Sequence, residues 1–331
     1  MLLIPFYTYF AVFYLLNLPD VDCSFLYICE KHTEVLSILI PTYNSQCANL
    51  VEELLRQAEG LDVKVEIVVV DDASTDAAIV RENSRIADMP NCRLVRLDSN
   101  IGISKMRNRL LQEAKYQWIL CLDADVYPAD ADFLKRYVAA IGKAKVVCGG
   151  LLYRQDNDFN INPLRYKYGI TCEAQTLDER QANPYQSFKT SNYLIDKDLA
   201  QKVAFDESFV GYGHEDTLFG KMLQQFNEPI LHIQNPVYHD DSDTSEEFLA
   251  KTRRGIDNLR THSADLDGYS RLLLTYNKLK RCRVVWLVML TYKLFRRPIE
   301  RNLLGTNPSM KLFGFYKLGY FCSLFPMLSP L

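Results

Sequence analysis

The chain runs to 331 residues, 48% of them apolar and 24% charged. That is enough for one large α/β domain or two modest ones, and too apolar for a disordered chain. The net charge of −3 is uneven: beyond residue 270 eleven Lys and Arg face one acid, Glu300, which leaves +10 there and −13 on the rest. An acidic body with a basic, apolar tail excludes a nucleic-acid binder, whose basic stripe lies on the folded domain. It suits a soluble domain held at an anionic membrane surface.

Residues 1–18 carry no charge, and eighteen residues is about the lower limit for a spanning helix. No basic segment precedes the stretch and no small-residue cleavage site follows it, as a signal peptide would need. An interfacial extension and a membrane anchor stay open; for an anchor, Lys31 and His32 favour a cytoplasmic body. The nine cysteines form no CxxC pair. They read as small core residues in a reducing compartment rather than a disulfide framework or zinc site.

Residues 35–40 form a short branched apolar run ending at Pro41, a buried strand. Leu50, Val51, Leu54, Leu55 and Ala58 then repeat at helical spacing up to Gly60. Residues 65–70 predict a second strand, 93–97 a short third, and 118–122 a fourth. Between the last two, Asn100-Ile-Gly102 leads into a helix with Ile103, Met106, Leu110 and Ala114 on one face. This alternation predicts a doubly wound, mostly parallel sheet. Ligands of such sheets bind beyond the carboxyl ends of the strands, where Thr42-Tyr43-Asn44, Asp71-Asp72 and Asp123-Ala-Asp125 fall. After about residue 135 the alternation weakens, and residues 153–190 are expected to form an irregular half that holds a variable partner.

Asp123 and Asp125, two apart at a strand end, face the same way and suit a hard cation with a diphosphate, such as Mn²⁺ or Mg²⁺. A strand-ending turn uses the same residues. Asp72 could accept from a base N–H or simply cap a turn with Ser74 and Thr75; Tyr43 could stack on a base or pack. Arg107 could reach a phosphate or stay on a solvated helix face. Gly211-Tyr-Gly213-His-Glu215-Asp216 precedes a helical stripe, where the two acids serve either the helix terminus or general-base chemistry. His239 follows a strand expected at 230–233 and is a ligand candidate only in company. Neither GxGxxG nor GxxxxGK[ST] occurs, so dehydrogenase and P-loop readings have no anchor.

In order and spacing these motifs resemble the family 2 glycosyltransferases of GT-A fold: Ser37 to Asn44, Val68 to Asp76, Asn100-Ile-Gly102 with Lys105 to Asn108, Leu120 to Asp125, and a galactosyltransferase-like GxGxED segment, Gly211 to Asp216. Ala73 and Met106 depart from the frequent Gly and Ala of that pattern. The resemblance covers roughly residues 35–270. It implies an inverting enzyme that moves a sugar from a nucleotide-diphosphate donor, a UDP-sugar, to a saccharide or lipid-linked saccharide in cell-surface polysaccharide synthesis. It further implies donor binding by Thr42, Tyr43, Asn44, Asp72, Arg107 and Asp123. Asp125 and His239 would ligate Mn²⁺ or Mg²⁺; Asp216 would act as base while Glu215 grips acceptor hydroxyls.

The expected organisation is an extension over 1–34, a nucleotide-sugar half over 35–135, an acceptor half over 136–270, and a basic amphipathic tail over 271–331. That tail, with apolar runs at 284–292 and 312–327, is expected to lie on the cytoplasmic face of the inner membrane; a helical pair packed on the catalytic domain, or an oligomer interface, is the alternative. A sugar-phosphate nucleotidyltransferase would need a Gly-rich, Arg-containing loop where Pro41-Thr-Tyr-Asn-Ser45 stands. A catalytically silent binding subunit would lack metal or base residues that are all present.

Overall fold

The computed structural model describes residues 36–154, 162–209, 211, 213–240 and 243–325. The apolar extension therefore lies outside the described residues, as does Tyr212. The first half holds β1 (Leu36–Thr42), α1 (Ala48–Ala58), β2 (Val65–Asp71), α2 (Ala77–Ser84), β3 (Cys92–Arg96), α3 (Ile103–Glu113) and β4 (Trp118–Leu122). β1 pairs in parallel with β2 and β4, and β2 with β3. β1 and β2 are buried along nearly their whole length, which is why they read as continuous apolar runs rather than alternating ones.

Alternate strand residues serve opposite faces. Ile38, Ile40, Ile67 and Val69 pack with Leu50, Val51 and Leu54 of α1. Leu39, Val68 and Val70 pack with Met106, Leu110 and Leu111 of α3. The sheet is thus sealed on both sides, and its open ground lies at the strand ends.

Over 153–190, expected to be irregular, the described residues form only two six-residue helices and a π turn, and the elements beyond β4 are mostly short. They begin with β5 (Val126–Pro128), α4 (Phe133–Ala140), β6 (Val146–Cys148), β7 (Leu151–Leu152), α5 (Pro163–Tyr168) and α6 (Leu177–Ala182). Then come β8 (Asn192–Asp196), α7 (Lys197–Lys202), α8 (Glu215–Gln225), β9 (Ile230–His232) and β10 (Val237–His239). Pieces of two or three residues, such as β5, β7 and β10, are too short to print a period on the sequence. The main sheet runs β3-β2-β1-β4-β8-β6-β9, and a small one runs β5-β10-β7. β8 lies antiparallel between β4 and β6, while β6 and β9 are parallel, so the sheet is mixed though mostly parallel. Asn192 ties the two sheets together: its amide donates to the carbonyls of Gly150 and Asn235 at 3.0 and 2.9 Å, and it accepts from Tyr137 at 2.6 Å.

The chain then forms α9 (Ser245–Thr261), α10 (Arg271–Arg281), α11 (Val285–Leu303) and α12 (Met310–Ser323). These helices are packed on the α/β body. Leu273, Tyr276, Met289 and Phe321 share one core with Phe209, Leu218, Ile256 and Leu259. Tyr292, Ile299, Leu303, Phe313 and Tyr316 share another with Leu164, Phe248 and Leu249. Gly319 lets α12 lie against Tyr292, since a Cβ there would come within 2.6 Å of that ring. The second apolar run of the tail is therefore spent on packing, with Phe313, Tyr316, Phe321 and Cys322 buried. Among the described residues no helix is long and apolar enough to cross a membrane.

Candidate active site

The ends of β1, β2 and β4 bring the donor-side candidates together. Thr42 is paired with Asp71 across β1 and β2. Tyr43 follows and is half exposed. Asn44 takes a left-handed φ of 49°. Its side-chain oxygen accepts from the amides of Thr75 and Asp76 at 2.8 and 3.0 Å, which locks the loop after β1 to the loop after β2. Asp71 accepts from Ser74 and faces Arg96.

Asp72 is buried, and its two carboxylate oxygens accept from the amides of Ile101 and Gly102 at 2.8 and 3.1 Å. The side chain predicted to read a base thus holds the Asn100–Gly102 loop. Each of its oxygens keeps one further acceptor direction.

Arg107 leaves the solvated helix face that its sequence position allowed. It is buried, donates to Glu215 at 3.1 Å and to Asp123 at 3.2 Å, and lies over the Phe205 ring. Burial works against its charge, but Asp123 and Glu215 outweigh that and push its pKa above the ordinary value. One guanidinium therefore joins Asp123 to Glu215, the latter 108 positions beyond the arginine in sequence.

Asp125 and His239 meet because β5 and β10 are antiparallel neighbours, with His239 opposite Val126 and the Asp240 amide donating to the Asp125 carbonyl at 2.8 Å. His239 Nε2 and an Asp125 oxygen lie 3.8 Å apart, too far for a hydrogen bond. Two ligands each about 2.1–2.2 Å from one hard cation stand roughly 3–4 Å apart, so the pair fits a shared ion. No group of three His, Cys, Asp or Glu forms a cage among the described residues. The remaining positions would belong to donor oxygens and water, the usual habit of Mg²⁺-type sites.

Tyr153 tilts against His239 at 5.7 Å between ring centroids. It donates to Glu173, whose carboxylate takes Arg165 at 2.9 Å. Burial alone would raise the Glu173 carboxyl; Arg165 and His239 outweigh it and hold the group below the usual range.

On the opposite wall, Glu215 and Asp216 open α8 after a strained entry. Gly213 sits at φ 104° with a hypothetical Cβ 3.0 Å from Gly255, and His214 is left-handed at φ 74°. Strain of this kind gathers at functional sites. Burial raises the Glu215 carboxyl against the pull of Arg107. Burial would also raise Asp216, but Lys189, 3.5 Å away, leads the cations that bring it below the ordinary range. Burial lowers His214 to about 4, so its ring is neutral near pH 7. Lys189, His214, Tyr153 and Glu173 escaped the sequence reading. Only the glycines beside His214 offered a signal; the others lie in segments without period or motif.

The sequence model described as Glycosyl transferase family 2 matches residues 37–202. An uncharacterized glycosyltransferase of Haemophilus influenzae is 30% identical over 199 residues, covering 60% of this chain and 75% of the relative. A PGL/p-HBAD biosynthesis glycosyltransferase of Mycobacterium bovis is 29% identical over 150 residues, 42% of this chain, and the chain spans only 57% of that relative's length. Among solved structures, the mannosyltransferase PcManGT of Pyrobaculum calidifontis, in complex with GDP-Man and Mn²⁺, superposes with a TM-score of 0.52 at 15% identity, over 96% of this chain and 92% of that one. The likeness at that identity is one of fold, and it agrees with a GT-A architecture.

Proposed function

Since the chain belongs to glycosyl transferase family 2, we propose that it moves a sugar from a UDP-sugar to a hydroxyl of a saccharide or lipid-linked saccharide, with inversion, in cell-surface polysaccharide synthesis on the cytoplasmic face of the membrane. The observation that carries this reading is the bridge through Arg107. A donor-side and an acceptor-side carboxylate are fixed on one buried cation at the ends of the parallel strands.

Tyr43 stacks on the base, and Asp72 reads it with its spare acceptor directions while holding the Asn100–Gly102 loop. Thr42 and Asn44 keep that wall rigid. Asp123, oriented by Arg107, takes a hydroxyl of the ribose or donor sugar. Asp125 and His239 would hold Mn²⁺ or Mg²⁺, which when bound supplies charge neutralisation at the departing diphosphate. Asp216 accepts the proton of the acceptor hydroxyl as that oxygen forms its bond to the anomeric carbon on the face opposite the leaving group. Glu215, tied to Arg107 and to the Gly213 amide at 3.1 Å, orients the acceptor through the same GxGxED segment.

Nucleoside diphosphate release, measured with panels of nucleotide sugars and acceptors, tests the reading. Asp216→Asn should cut turnover about 10²–10⁴-fold, the usual scale of general-base loss, and leave the thermal shift given by UDP intact. Asp125→Ala should remove the Mn²⁺ dependence of that shift. A larger loss in Glu215→Gln than in Asp216→Asn would exchange the two roles. If no nucleotide sugar or nucleoside diphosphate shifts the melting temperature, transfer from such donors is wrong.

A further inference from the structure

α11 has two faces of different character. Met289, Tyr292, Ile299 and Leu303 are buried against the body. On the other side Trp286, Leu290 and Leu294 follow at four-residue spacing with Leu287 beside them, exposed by 55, 45, 67 and 48%. Side chains at that spacing form one continuous row on a helix. Arg297 and Arg301 extend the row by two turns, Lys293 borders it, and Arg281 and Arg283 precede it; all are exposed. Glu300, the single acid beyond residue 270, is turned away and accepts from Arg296 and Tyr316 at 2.9 and 3.1 Å.

We infer that this one face of α11 is a lipid-docking surface for an anionic bilayer. The sequence offered two apolar runs for such a role, and the structure spends the second, in α12, on the core. What is left is a row with a tryptophan and three leucines ringed by cations and free of acids. That is the pattern of a helix lying in the headgroup region with its leucines in the acyl boundary. A second copy of the chain is a poorer occupant. A two-fold contact through this face would bring the cations of one copy, Arg281, Arg283, Lys293, Arg297 and Arg301, against those of the other.

The chain has two tryptophans, so Trp118→Phe in the full-length protein leaves Trp286 as sole reporter. Vesicles of phosphatidylcholine with one quarter phosphatidylglycerol should shift its emission to the blue and float the protein, and high salt should weaken both. Pure phosphatidylcholine should do neither. Leu290→Ser with Leu294→Ser, on exposed positions outside the site, should weaken flotation at least ten-fold with an unchanged melting temperature and unchanged turnover on a water-soluble acceptor. The inference is overturned if the emission does not move at low salt, or if neutral and anionic vesicles bind alike. It is equally overturned if the blue shift appears on concentrating the protein without lipid and disappears in the double variant, which would make the face a self-association surface. Vesicle binding is read without donor or acceptor, so its failure leaves the proposed transfer standing.

Discussion

At the scale of single residues, Lys189 sets the chemistry that Asp216 can do. A nearby ammonium favours the carboxylate over the acid and depresses its pKa. The stability this pairing contributes is therefore present above the unfolded-state pKa of Asp216 and is lost as pH falls through the lower folded value. With Asp216 as the proposed base, the same sign applies to turnover: the acid limb of kcat/KM should lie below the ordinary aspartate range, and Lys189→Met should move it upward. A pH–rate profile whose acid limb is indifferent to Lys189→Met would detach Asp216 from that limb. Asp123 and Asp125 were legible in the sequence because their strand is strongly apolar and stops abruptly at them. Arg107 was legible as a position but not as a bridge. Nothing in a helix sequence says that an arginine will find a carboxylate 108 positions later. Lys189 was not legible at all, since the loop around it has neither period nor motif.

At the scale of elements, length decided what could be foreseen. α1 and α3 have eleven residues each, and their apolar spacing marks them within a residue or two. β5, β9 and β10 have three residues each, and only β9 was expected, as a strand at 230–233. The antiparallel pairing of β5 with β10, which sets Asp125 beside His239, could not be deduced. The helices of the tail show the opposite effect. Their composition suggested a membrane partner for the whole segment, while long-range packing claims most of it. At Gly319 this packing leaves no room for a Cβ. Gly319→Val should drive atoms into Tyr292 and cost about 1–3 kcal/mol, the usual range for an overpacked core. Denaturant unfolding measures it. A midpoint equal to that of the parent chain would mean that α11 and α12 are not held as closely as described.

At the scale of the whole molecule, the body and the basic tail form one structure although their charges differ so sharply. Removing everything after residue 270 would uncover Phe209, Leu218, Ile256, Phe248 and Leu249, which α10, α11 and α12 now cover. A contiguous apolar surface of that kind is an aggregation liability. The shortened chain should therefore melt at lower temperature and precipitate, where the intact chain without lipid should stay monodisperse. Recovery of a stable, monodisperse 1–270 fragment by light scattering would show the helical layer to be dispensable. The alternation of strand and helix made the parallel half of this architecture readable from about residue 35 to 122. The reversal at β8 was not, because antiparallel insertion depends on a partner strand too short to announce itself.

That reversal has a consequence for the chain while it is being made. β4 and β6 never touch; β8 is the strand that fills the place between them. Between the appearance of residue 122 and that of residue 196 a growing chain presents the outer rim of β4, with the inward side chains of Leu120 and Leu122 behind it, to anything able to pair with it. At about 5–20 residues per second that interval lasts roughly 4–15 s. An unpaired, apolar strand rim is a template for wrong partners. Chains stalled before residue 192 should accordingly be captured by holdase chaperones far more than chains stalled well beyond residue 196, and ribosome pull-downs at the two lengths would reveal the difference.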